Sequence, residues 1–135
     1  MTRVLVVHHD IDMADAETDA LRRAGYEVQQ CWGPTYASCP VMRGSTCGLA
    51  DDADVLLYDV WATGESDGGR GLVAGLRDLY PDKPVVLAAP GMELDWVETE
   101  GAHRVVPLVG APTGAPLLAA IEQALASAKV PAGRG

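Results

Sequence analysis

The chain has 135 residues, 48% of them hydrophobic, and a net charge of −9. That length and apolar content suit one domain with a real core, built mostly of Val, Leu and Ala because Phe is absent. The acidic balance excludes direct binding to nucleic acid or an anionic membrane, since phosphate contacts need a basic surface. No stretch approaches the ~20 apolar residues of a membrane span, and no signal peptide opens the chain, so a cytoplasmic protein is expected.

Arg3–Val7 is a β-branched run, as in a strand buried on both faces. It runs into His8-His9-Asp10, and polar residues at the end of such a strand mark the rim where open α/β sheets gather ligands. The spacing predicts an amphipathic helix from Asp12 to Ala24. Its core face would be Ala16, Ala20, Leu21 and Ala24, with Asp15, Glu17 and Asp19 elsewhere, Asp12 as N-cap and Gly25 as terminator. Tyr26–Gln30 reads as a second strand.

Residues 32–49 hold Gly33, Pro34, Pro40, Gly44 and Gly48 without a sustained period. They predict a long irregular loop with room for one short helix, longer than a compact domain usually needs. Asp54–Val60 is the third strand, followed by a glycine-rich loop, Ala62–Gly71. That loop lacks the Gly-Lys-Ser/Thr ending of a phosphate-binding loop. Leu72, Val73, Leu76 and Leu79 make one face of the next helix. Lys83–Ala89 is the fourth strand, Glu93–Glu100 a short helix, Arg104–Val109 the fifth strand and Ala115–Ala128 the last helix, with Pro116 in its first turn. Residues 130–135 read as a flexible tail, leaving one domain over 1–129.

Alternating strands and helices imply a doubly wound five-stranded parallel α/β sheet with helices on both faces, in the flavodoxin-like order 2-1-3-4-5. Over nearly its whole length the chain also resembles the receiver domains of two-component response regulators. The likeness rests on Arg3-Val-Leu-Val-Val, on Ala24-Gly25-Tyr26-Glu27-Val28, on Ala53-Asp54-Val-Leu-Leu-Tyr-Asp59, on Tyr80-Pro81-Asp82-Lys83-Pro84-Val-Val-Leu and on Gly101-Ala102. The resemblance implies that Asp59 is the phosphoacceptor position and that His8 and His9 stand where the family keeps an Mg²⁺-binding acid pair. The phosphoryl-binding hydroxyl position falls on Ala88 or Ala89. The lysine position, just before Pro107, falls on Val106. Imidazole suits Mg²⁺ poorly, and without metal and lysine nothing neutralises the charge of phosphoryl transfer. Weak or absent Mg²⁺ binding is therefore expected, in an atypical pseudo-receiver. Three readings stand for Asp59: an inherited carboxylate, solvated or hydrogen-bonded; a residual phosphoacceptor; or another site role. His8 and His9 read as solvated or hydrogen-bonded imidazoles or as a pH-responsive pair, at most one of them aimed at the old metal position.

Cys31, Cys39 and Cys47 are spaced C-x7-C-x7-C and flanked closely by Gly or Pro. With His8 or His9 they would make a tetrahedral Zn²⁺ set or hold an iron–sulfur cluster. Unrelated buried thiols and a redox pair are the alternatives. Trp61 could cover the old phosphorylation pocket or simply pack, and Trp32 and Trp96 also lie near loops.

No catalytic residue set is expected, as no nucleophile–base pair or phosphate loop is evident. The leading expectation is a stand-alone receiver-like signalling protein that binds another signalling protein through residues 93–128, with self-association on the same face. A metal- or redox-sensing regulator and a small flavodoxin-like ligand binder or enzyme are the rivals.

Overall fold

The computed structural model describes residues 2–8, 10–31, 48–59, 70–89, 105–108 and 114–129. Five parallel strands form one sheet: β1 (Arg3–Val7), β2 (Glu27–Cys31), β3 (Val55–Asp59), β4 (Val85–Ala88) and β5 (Val106–Leu108), in the order β2-β1-β3-β4-β5. The expected strand order is therefore the observed one. The helices are α1 (Ile11–Arg23), α2 (Gly48–Asp52), α3 (Arg70–Leu79) and α4 (Ala115–Lys129).

The sheet is apolar on both faces because each face is covered. Val4, Val6, Leu57 and Val86 share a core with Ala14 and Leu21 of α1 and with Leu117 and Ile121 of α4. Leu5, Val7, Leu56 and Leu87 face the other way, toward Ala50 of α2 and Val73 and Leu76 of α3. The alternation along β1 and β3 is the period of two that any strand imposes, here with both sets of side chains buried.

The first helix differs from expectation in two ways. Its N-cap is Asp10, in extended backbone (φ −102°, ψ 112°), not Asp12. The Asp10 carboxylate accepts the N–H groups of Asp12 at 3.0 Å and Met13 at 3.2 Å, while Asp12 lies inside the first turn, where its charge suits the helix dipole. Asp10→Ala is expected to cost about 1 kcal/mol in urea unfolding, and Asp12→Ala clearly less; equal losses would remove the assignment. The buried face is also displaced. Ala14, Glu17, Thr18 and Leu21 are buried, whereas Ala16 and Ala24 are exposed. The i, i+3, i+4, i+7 stripe thus includes a glutamate. The helix ends as expected at Gly25, whose φ of +98° is left-handed and whose N–H donates to Arg22 O at 3.0 Å.

Other boundaries move by a few residues. Cys31 closes β2 and does not enter the following segment. Gly48 and Leu49, expected in the loop, begin α2; Arg70 and Gly71, expected in the glycine-rich loop, begin α3. Short α2 is held at its C-terminal end: the Lys83 ammonium donates to the carbonyls of Ala50 at 2.6 Å and Asp51 at 2.9 Å, and the Tyr80 hydroxyl donates to the Asp51 carboxylate at 2.6 Å. The Ala50 carbonyl also accepts the Ala53 N–H at 3.3 Å, and a cation there meets the negative end of the helix dipole. The buried Arg77 guanidinium donates to the Lys83 carbonyl. The expected helix at 93–100, the tail at 130–135, most of the loop at 32–49, most of that at 62–71, and Trp32, Trp61 and Trp96 lie outside the described residues.

Candidate functional site at the carboxyl rim of the sheet

Four neighbouring strand ends meet at this rim. β1 lies between β2 and β3, with Val7 level with Cys31 and with Tyr58. Asp59 is level with Ala88 at the end of β4. His8 continues β1 by one step, its N–H donating to Cys31 O at 3.2 Å. Being one residue past Val7, its side chain passes to the face covered by α1, where Glu17 lies.

His8 is 5% exposed and Asp59 is 4% exposed, so the solvated alternatives are set aside for both. The imidazole lies between two carboxyl groups. Its Nε2 is 3.6 Å from Glu17 Oε2, and its Nδ1 is 3.8 Å from Asp59 Oδ2. Nδ1 also accepts the Asp10 N–H at 2.9 Å. That hydrogen bond assigns the proton of a neutral ring to Nε2, facing Glu17. The cap residue of α1 and the rim imidazole are thus one local unit: the Asp10 side chain opens the helix and its backbone N–H fixes the ring.

Glu17 is the site residue that the sequence reading missed. It is 1% exposed, and its Oε2 has no hydrogen-bond partner among the described residues. Burial, and secondarily the nearby Asp59 charge, push its carboxyl up to about 8, so at neutral pH it is mostly the uncharged acid. Its neighbour Thr18 accepts the Gln30 side-chain amide at 2.8 Å, and the same amide reaches Asp15 at 3.0 Å, which ties this turn of α1 to β2. The signal that would have found Glu17 is the Ala14–Leu21 spacing, which puts residue 17 on the inner stripe.

The remaining expected positions are distributed as follows. Ala88 and Ala89 are buried at the end of β4 and offer no hydroxyl. Val106 is level with Val86, two residues short of Ala88, so it sits below the rim and is not the strand-end position. The strand ends instead at Leu108, and the sequence has no lysine between Lys83 and Lys129. Cys31 packs against the face that carries Leu5 and Val7, opposite the His8 ring, so the fold does not bring these two side chains together. His9, Cys39 and Cys47 lie outside the described residues. Among the described residues no group of three or more His, Cys, Asp or Glu side chains has metal-binding geometry.

No protein-family model matches the sequence, and no curated protein is recognisably similar to it. Solved structures are similar in shape. NtrX from Brucella abortus superposes with a TM-score of 0.73 at 20% identity, over 96% of this chain and 28% of NtrX. A response regulator receiver domain protein from Clostridium thermocellum gives 0.72 at 18% identity, over 96% of this chain and 98% of its own. The chain has the receiver-domain fold. The N-terminal domain of a response regulator/sensory box/GGDEF protein from Carboxydothermus hydrogenoformans adds a third match, with a TM-score of 0.69 at 19% identity over 95% of this chain and 97% of that one. Within this receiver fold, the rim that the sequence singled out is the one that carries His8, Asp59 and Ala88. Among the described residues no helix is long and apolar enough to cross a membrane.

Proposed function

We propose that the protein is a receiver-type signalling module that acts by binding another protein, with its Mg²⁺-dependent phosphorylation site degenerate. The observation that carries this reading is the His8 ring, which stands beside Asp59 with Nδ1 3.8 Å from Oδ2. A hard cation prefers oxygen ligands in octahedral array. Here the neighbour of the strand-end aspartate is a nitrogen base already engaged by the Asp10 N–H. The alanines at the end of β4 and the lysine-free stretch after Lys83 remove the other groups that would neutralise a phosphoryl group in transfer. Signalling would then depend on contacts, for which residues 93–128, including most of α4, are the proposed surface.

The test is exposure of the protein to acetyl phosphate or beryllofluoride with Mg²⁺, read by intact mass and by amide chemical shifts around Asp59. Neither should change the protein. An Asp59-dependent mass gain or shift pattern would overturn the reading.

A further inference from the structure

Glu17, His8 and Asp59 come from three places, α1, the end of β1 and the end of β3, and all three are at least 95% buried. The ring is flanked by a carboxyl on each side, at 3.6 and 3.8 Å. With both carboxyls ionised and the ring neutral, the array would hold two negative charges away from water. Isolated buried charge is too costly for that to persist. One proton, on Glu17, removes half of it.

Among the described residues, nothing packed against Glu17 offers a replacement for that proton. Among the described residues no ion pair joins it to lysine or arginine. On its own helix Arg22 and Arg23 are exposed in the last turn. β2 contributes Gln30, whose amide is given to Asp15 and Thr18. From β3 comes Asp59, of the same sign as an ionised Glu17. On α4 the exposed Glu122 bears on Tyr26, whose phenol is pushed up by burial and by that carboxylate. The Asp10 N–H serves the far side of the ring.

We propose that Glu17, packed between α1 and the buried His8–Asp59 pair, forms a proton-operated latch holding α1 to the carboxyl rim, closed while Glu17 keeps its proton and released when it loses it. Release takes the form of α1 loosening from β1 and β2, because an ionised Glu17 reaches water only by leaving the Ala14–Leu21 stripe. The latch needs neither phosphorylation nor a bound partner, so its test is independent of the signalling reading.

The sign of the effect follows from linkage. The folded protein holds a proton that the unfolded chain releases at the ordinary glutamate value of 4.5, and keeps it to about 8. This contribution to stability is complete below 4.5, falls through the neutral range and is gone above 8. At its steepest, the folded-to-unfolded ratio drops by up to about tenfold per pH unit.

The experiment is urea unfolding of the full chain between pH 5 and 9, together with amide hydrogen exchange of Ala14–Leu21 over the same range. The unfolding midpoint should fall as pH rises, and protection in α1 should fall more than in β3. Glu17→Gln, which keeps the shape and cannot ionise, should remove both trends. Identical pH profiles for the wild type and Glu17→Gln would overturn the latch. If that variant does not fold, the wild-type exchange decides: α1 protection independent of pH would overturn it.

Discussion

Replacing His8 by alanine is expected to destabilise the protein by about 1–3 kcal/mol at neutral pH, the cost of leaving buried polar groups without their partner. The ring contributes in three ways at once. It separates Glu17 from Asp59, it faces the otherwise unpartnered Glu17 Oε2 at 3.6 Å, and it accepts the Asp10 N–H at 2.9 Å. Alanine leaves that N–H without its acceptor and opens a polar void between two buried carboxyls. Urea unfolding of His8→Ala measures the loss. A value below about 1 kcal/mol, the size of a surface substitution, would show that the ring is not what reconciles the two carboxyls.

A second large effect is expected from Leu57→Ala. Leu57 is 1% exposed in the central strand β3 and shares its core with Val4 and Val6 of β1 and Leu117 and Ile121 of α4. Its neighbours are held in a parallel sheet with partners on both sides, so the space cannot collapse easily. The loss should be about 2–5 kcal/mol, transfer and cavity contributions together. Ile11→Ala is the control. Ile11 is 47% exposed, so its removal should change stability by no more than about 0.5 kcal/mol. Similar losses at the two positions would contradict the core assigned here.

The strand order and the strand-end aspartate were legible because the apolar runs Val4–Val7, Val55–Tyr58 and Val85–Ala88 are unbroken and separated by helix-forming segments. Such runs identify strands buried on both faces. The phase of α1 was less legible. Its first apolar markers are alanines on both sides of the helix, so Ala16, Ala20 and Ala24 compete with Ala14 for the inner face. Only Leu21 is unambiguous, and it belongs to either stripe. Counting Glu17 as a surface residue then selects the wrong one. The charge that misled the periodicity is also the chemistry of the site, since its burial becomes reasonable only once His8 is seen opposite it. The lysine position failed for another reason. Sequence adjacency to Pro107 does not fix inter-strand register, and the pairing of Val106 with Val86 places it below the rim.

The ends of the sheet are unequal. β5 is three residues long with an exposed proline at its middle, so it offers an incoming strand few N–H donors and a ring that obstructs pairing. β2 is five residues long and carries Glu27 at its start and Gln29 and Gln30 beyond it. Among the described residues, strand addition is therefore expected to be easier at β2 than at β5. There the charged Glu27, paired with Arg3 at 3.2 Å, acts as the gatekeeper against it.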